Sequence, residues 1–347
     1  MRYCHGDVPV GRARKITHRE QHSAFCVRLK ARIGIVTPAR NLAPFLAPAI
    51  RSVIAQSVQD WAMVIVDDGS TDGTGEIAAD FAACDPRIRV IRQPHAGVSA
   101  ARNRGLAALD ADFIMFLDGD DWLAPEAFAL LDRALQAEPD AVAAYGRYAF
   151  VAEDAGPGCV PLSVRRGRLP CGDLLPRLLT RNLFANGGQL LIRASALAST
   201  APFRTDLAFG EDWECWIRLA QKGPFAAHGG ASPLLYVRER QGSTYLRMAA
   251  DPEAARLCLD AIFSQPGLRA RLGQDGCAAA RDSAQADTAW VVGRELLRHQ
   301  RRREGLPWLA RSLYRAPSPR RSVLFLLACL QPWLAAGHRG PFRPYAR

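Results

Sequence analysis

VIVDDGSTDGT (residues 64–74) runs from apolar and β-branched positions into two adjacent aspartates, and then into glycine, serine and threonine. A turn explains the second half, because Asp, Gly, Ser and Thr bend a chain and bond to its backbone. A ligand crevice explains it equally well, since open α/β sheets bind ligands just beyond the carboxyl ends of their strands. The flanking sequence has to separate the two.

Upstream, RIGIVTP (32–38) is a short apolar run stopped by proline. FLAPAIRSVIAQS (45–57) sets Phe45, Ile50, Val53 and Ile54 on one helical face. Downstream, GTGEIAADFAA (73–83) reads as helix, RIRVIRQ (87–93) as strand, VSAARNRGLAAL (98–109) as helix and DFIMFLDGDDW (112–122) as strand. Strands alternating with helices of about ten residues imply βαβ units and a parallel sheet. The expected fold class is therefore α/β, a Rossmann-like, mostly parallel sheet flanked by helices. Right-handed crossovers open every strand's C-terminal loop on one edge. That edge would gather Pro38–Asn41, Asp67–Asp72 and Asp118–Asp121.

After about residue 140 the alternation weakens. AVAAYGRYAFV (141–151) is strand-like and leads into a Gly/Pro/Arg loop at 155–172. GGQLLIRASAL, EDWECWIRLAQ and LLYVRERQGSTY follow, and from Pro252 the chain reads as a helical, Arg- and Ala-rich extension. Three regions result: a basic, poorly ordered extension over 1–31, the α/β domain over 32–250, and the helical region over 251–347.

Composition is globular, with 49% hydrophobic and 23% charged residues. The net charge of +11 sits at the ends: residues 1–32 carry +6 and residues 294–347 carry +10, leaving −5 between them. An acidic middle argues against a nucleic-acid partner, and basic ends suit an anionic surface. Nine scattered cysteines without a CxxC pair argue against a disulfide framework or a zinc site and for a reducing, cytoplasmic compartment. The N-terminal stretch is basic but lacks the apolar core of a signal peptide. No run reaches the roughly 18 apolar residues of a spanning helix. The nearest, SVLFLLACLQPWLAAG (322–337), is interrupted by Gln331 and Pro332 and flanked by arginines. It reads either as a core helix or as an interfacial segment on the inner face of the plasma membrane.

Three acidic clusters fall at loop positions: Asp67-Asp68, Asp118-Gly119-Asp120-Asp121, and Glu211-Asp212. Burying several carboxylates together is costly unless a cation neutralises them. A hard ion such as Mg²⁺ or Mn²⁺ suits one or two carboxylates plus a substrate phosphate. An Asp-rich N-cap for the helix near Pro125 accounts for one aspartate but not for three.

Taken together, IGIVTPARN, VIVDDGSTDGT, GVSAARNRG, FIMFLDGDDW and EDWECWIRLA resemble the inverting glycosyltransferases of family 2, with the GT-A fold, over roughly residues 32–245. The resemblance implies a nucleotide-diphosphate sugar donor, UDP-linked, and a saccharide or lipid-linked acceptor in surface polysaccharide synthesis. It implies that Pro38, Ala39, Arg40 and Asn41 border the base, and that Asp68 accepts from the base's ring N–H. Arg102 would lie near the base or the diphosphate. Asp118 and Asp120, with Asp121 beside them, would hold the ribose and the metal, and Asp212, next to Glu211, would be the general base. A metal-only role for Asp212, or a helix-terminal pair favoured by the macrodipole, competes with that assignment.

Two positions depart from the family's pattern. Ala39-Arg40 replace a frequent Thr-Tyr, and VRERQGS puts Arg240 where a histidine usually stands. Arg40 could stack on a base, and Arg240 could grip the diphosphate directly. The QxxRW signature of processive synthases is absent, which favours single-sugar transfer. Two other classes remain open, a non-catalytic nucleotide-sugar-binding protein and a phosphotransferase of the haloacid dehalogenase type.

Overall fold

The computed structural model describes residues 28–240 and 252–330. β1 (Leu29–Ala39), β2 (Trp61–Asp68), β3 (Ile88–Gln93) and β4 (Leu109–Phe116) alternate with α1 (Leu46–Ile54), α2 (Thr74–Cys84) and α3 (Val98–Ala107). The four strands are parallel in the order β3-β2-β1-β4. All eight residues of β2 are buried, as befits a strand covered on both faces. β1 starts at Leu29, earlier than the apolar run suggests, because Leu29, Lys30 and Ala31 pair with Leu109, Asp110 and Ala111. The polar start of β4 hides that extension from an apolar pattern.

Past β4 the chain adds β5 (Trp122–Leu123), α4 (Ala127–Ala137), β6 (Ala143–Tyr145), β7 (Arg147–Val151) and β8 (Ser163–Val164). Then come α5 (Leu175–Leu178), β9 (Leu190–Arg193), α6 (Ala194–Ala198), α7 (Glu211–Ala220), β10 (Phe225–Ala227) and β11 (Pro233–Arg238). The main sheet has seven strands, ordered β10-β6-β9-β4-β1-β2-β3, with β9 antiparallel to both neighbours. A second sheet of four strands runs β5-β11-β7-β8. The single strand expected over 141–151 is thus two strands in two sheets. They part at Gly146, whose carbonyl accepts from Gln189 Nε2 at 2.7 Å instead of joining a ladder.

Side chains alternate along β1 and β2 into two apolar layers. Val36, Val64 and Val66 face Phe116 and Trp216; Ile33, Ile35, Met63 and Ile65 face Leu46, Val53 and Phe128. The helical extension forms as expected, with α8 (Pro252–Phe263), α9 (Pro266–Arg298), α10 (Arg302–Arg315) and α11 (Pro319–Leu330). No helix of the described residues is long and apolar enough to cross a membrane. α11 ends where description ends, so Gln331, Pro332 and Trp333 lie outside it, as do residues 1–27 and 241–251. Free thiols stand at Cys159, Cys171, Cys215, Cys258, Cys277 and Cys329, whereas Cys84 is disulfide-bonded, a link the cysteine spacing did not announce.

α3 lies close against the sheet at Gly105, where a Cβ would sit 2.5 Å from Val36 Cγ1 and 3.2 Å from Val66 Cγ2. Gly105→Ala should therefore overpack the layer and cost about 1–3 kcal/mol. A lower denaturant midpoint at unchanged slope is the expected reading; an unchanged midpoint would mean that α3 yields freely.

Candidate active site

The carboxyl ends of β1 and β2 deliver the first loops to one edge, and their side chains stitch them together. Asp67 Oδ1 accepts from the Ser70 N–H at 3.0 Å, closing the turn after β2. Asp72 accepts from the N–H groups of Thr74 (3.0 Å) and Ala43 (3.1 Å). Thr74 Oγ1 accepts from the Leu42 N–H at 2.7 Å, and Asn41 Oδ1 from the Thr71 N–H at 2.9 Å. The residues after Asp68 are thus a turn, as their composition suggests.

Asp68 is different. It is 4% exposed and lines the crevice. Gln93 Nε2 and the Ala96 N–H donate to Oδ1, and His95 Nδ1 and the Gly97 N–H approach Oδ2, all at 2.8–2.9 Å. Burial alone would raise its pKa. The bonds from Gln93, Ala96, His95 and Gly97 outweigh burial and hold the carboxyl below its ordinary range.

Arg102, on α3, joins two clusters that are far apart in sequence. One nitrogen donates to Asp118 Oδ1 at 3.0 Å and another to Glu211 Oε1 at 2.9 Å. The guanidinium is buried over the Phe203 ring, 5.4 Å from its centroid. Despite that burial, the charges of Asp118, Glu211 and Asp212 raise its pKa, so it stays cationic. Glu211 and Asp212 open α7, following Gly210 in the left-handed region at φ 72°. Asp212 Oδ2 accepts from Asn182 Nδ2 at 3.3 Å. Burial, then the neighbouring Glu211 charge, push the Asp212 pKa up to about 7, against the pull of Arg102.

The turn after β4 carries the remaining aspartates. Asp120 pairs with Arg240 at 2.8 Å. Asp121 accepts from Asn186 Nδ2 at 2.5 Å and from the Arg238 N–H at 2.9 Å. Burial, more than the attraction of Arg240 can offset, raises the Asp120 pKa, with Asp118 adding repulsion. Burial and repulsion from Asp120 and Asp118 raise Asp121 well above the usual carboxylate range. Burial and crowding thus disfavour full ionisation of the turn, even with Arg102, Arg238 and Arg240 around it. Among the described residues no group of three or more His, Cys, Asp and Glu is arranged around a metal position. Asp118 and Asp120 nevertheless fit a hard divalent ion, which needs only one or two carboxylates when substrate phosphates complete its shell.

All the expected positions, Pro38 to Asn41, Asp68, Arg102, Asp118, Asp120, Asp121, Glu211, Asp212 and Arg240, line one crevice of about 2280 Å³. Residues not singled out from the sequence support them: Gln93, His95, Asn182, Asn186 and Arg238. Arg238 ties the Asp turn to β11, donating to the carbonyls of Asp120 (3.0 Å), Glu153 (2.5 Å) and Ala155 (2.7 Å). Its place at the end of the apolar run in VRERQGS was the available signal. The others are amides and an imidazole at a strand end and in loops, with no pattern to mark them.

A mixed sheet of this topology, its carboxylates gathered at the ends of β2 and β4, is the GT-A fold. S. aureus TarS, residues 1–349, shares it with a TM-score of 0.58 at 16% identity, covering 87% of this chain and 88% of that one. So does the mannosyltransferase PcManGT of Pyrobaculum calidifontis, solved with GDP-Man and Mn²⁺ (TM-score 0.52, 16% identity, 88% and 82% covered). Residues 34–197, a little under half of the chain, match the glycosyl transferase family 2 model. EpsJ, an uncharacterised glycosyltransferase of Bacillus subtilis, is 40% identical over 111 residues, 32% of each chain. GlyA, a glycosyltransferase of Streptococcus pneumoniae, is 36% identical over 125 residues, 36% of this chain and 18% of GlyA. TuaG of Bacillus subtilis, named for teichuronic acid biosynthesis, is 37% identical over 93 residues, 26% of this chain and 37% of its own. The similarity therefore spans well under half of these relatives' length.

Arg102→Met should leave the half-buried Asp118 and Glu211 without their cation and destabilise the fold by about 1–3 kcal/mol. Adding Glu211→Gln should recover part of that loss in thermal melts. A double variant no more stable than the single one would show that the ion pair is not what Arg102 contributes.

Proposed function

We propose that the domain is an inverting, non-processive glycosyltransferase acting on a UDP-linked sugar donor. The observation that carries this reading is the Arg102 bridge, which fixes the Asp118 turn and the Asp212 helix end in one crevice. The base of the donor lies along Pro38–Asn41, with Arg40 free to stack on it. A ring N–H reaches Asp68 by displacing His95, the donor whose side chain is 49% exposed. TarS has been solved with UDP-GlcNAc and with UDP, which supports the choice of UDP.

Asp118 and Asp120 would hold Mg²⁺ or Mn²⁺, which when bound offsets the charge growing on the leaving diphosphate. Arg240 lies close enough to that turn to share the task. Asp212 accepts the proton as the acceptor hydroxyl attacks the anomeric carbon and the bond from that carbon to the diphosphate breaks. A base held near neutrality suits this role, because it is ionised at working pH and still basic enough to take the proton. Asn182 orients it, and burial together with the neighbouring Glu211 charge keeps its pKa up. A second reading leaves the diphosphate charge to Arg102 and Arg240 alone, since each already pairs with an aspartate of the turn.

The acceptor is a saccharide or lipid-linked saccharide in surface polysaccharide synthesis, reached from the inner face of the plasma membrane. Val323, Leu326 and Leu327 of α11 are more than half exposed, and Arg320 is exposed beside them. Apolar burial and arginine attraction to anionic lipid would hold such a helix at an interface.

Asp212→Asn should keep UDP binding and lower transfer by about 10²–10⁴-fold. Wild-type turnover in that variant would remove Asp212 from the role of base. For the wild type, kcat/KM should rise with pH through about 7, because only the ionised carboxylate accepts a proton; a flat profile across that range contradicts the assignment. UDP affinity by calorimetry should fall when EDTA removes divalent ions, and equal affinity with and without EDTA favours the arginine-only reading.

A further inference from the structure

One wall of the crevice takes no part in this chemistry. It consists of residues 165–168 and α5. Arg147 donates to the Gly230 carbonyl at 2.8 Å and to the Arg165 carbonyl at 3.1 Å, and Arg165 donates to the Leu183 carbonyl at 2.6 Å. The Tyr145 hydroxyl donates to the Pro170 carbonyl, and Leu169 between them is buried. The stretch is therefore pinned at both ends. Between the pins, Arg166 and Arg168 are exposed and line the crevice, as does Arg177 on α5. Among the described residues no carboxylate lies within ion-pairing distance of any of these three guanidinium groups. Arg102, Arg238 and Arg240, by contrast, all have partners in the aspartate turn.

The wall belongs to the side of Asp212. Leu183, which anchors Arg165, follows Asn182, which bonds Asp212. The Leu178 carbonyl on α5 accepts from Trp213 Nε1 at 2.7 Å. Pro38–Asn41 and Asp68 lie across β4, at the ends of β1 and β2. Three cations with no carboxylate partner among the described residues thus line the base side of the crevice. Guanidinium forks match phosphate oxygens in bidentate geometry.

We propose that Arg166, Arg168 and Arg177 form a phosphate subsite for the acceptor, so that the acceptor saccharide carries a phosphate mono- or diester. The inference rests on the reading of Asp212 as the base that marks the acceptor side. The phosphate belongs either to a lipid carrier or to a phosphorylated glycan. Val291, Leu324 and Leu327 line the same crevice and would accommodate a prenyl chain in the first case.

The test is calorimetry on the full chain with the donor site saturated by UDP. The probes are farnesyl phosphate, glycerol 3-phosphate, farnesol and glucuronate. Both phosphates should bind, farnesol and glucuronate should not, and Arg166→Ala/Arg168→Ala should weaken phosphate binding at least tenfold at unchanged UDP affinity. Tighter binding of farnesyl phosphate than of glycerol 3-phosphate assigns the lipid source, and equal binding assigns the glycan. The proposal is overturned if the phosphates bind no better than farnesol or glucuronate. It is overturned equally if the double variant binds the phosphates like the wild type, or loses UDP affinity in proportion. Failure of the glycosyltransferase reading shows separately, as a wild-type chain that does not bind UDP, and the phosphate titration is then read without it. Both arginines are exposed and unpaired, so the variants keep the fold.

Discussion

A single buried cation organises the catalytic edge. Arg102 stands 16 residues from Asp118 and 109 from Glu211, yet it bonds both. A guanidinium in that position is tolerable only because two carboxylates converge on it, and the carboxylates are tolerable only because it is there. The exit of β4 and the start of α7 consequently have one relative position in which no charge is stranded. The shape of the crevice depends on that mutual requirement, since the β4 exit carries one aspartate cluster and α7 carries the acidic pair.

Within this frame, the same side chain acquires three characters. Asp68 meets four donors and is held ionised. Asp120 and Asp121 are crowded together out of water, so ionising both is disfavoured. Asp212 is buried beside the Glu211 charge, and the two raise its pKa to about 7 against the attraction of Arg102. Environment, not residue type, divides the labour, and the environment is supplied by loops from four different strands and helices.

Much of the first half was legible because local patterns suffice there. The apolar runs of β1, β2 and β4 are buried on both faces, and each helix follows within a short loop, so period and spacing identify them. The aspartates stood out because each cluster ends an apolar or aromatic stretch. What lay beyond reading depends on contacts distant in sequence. The two-residue β5 and β8 exist only because β11 and β7 pair with them. Gly146 breaks an apparently continuous strand because a glutamine 43 residues later holds its carbonyl. Asn182, Asn186 and His95 have meaning only beside the carboxylates they serve, and no run of neighbouring residues announces that.

Gly210, ahead of the acidic pair, is confined twice. Its backbone is left-handed, and a Cβ there would lie 2.3 Å from Cys258 Sγ on α8. Cys258 also donates to the Gly210 carbonyl, with sulfur and oxygen 3.6 Å apart. The helical extension therefore props the hinge from which the acidic pair projects, although the family match ends at residue 197. In a chimera joining this α/β core to another enzyme's C-terminal helices, the residue inherited at position 258 would reset the pitch of α7. Exchange of modules at that junction is thus a change to the crevice itself.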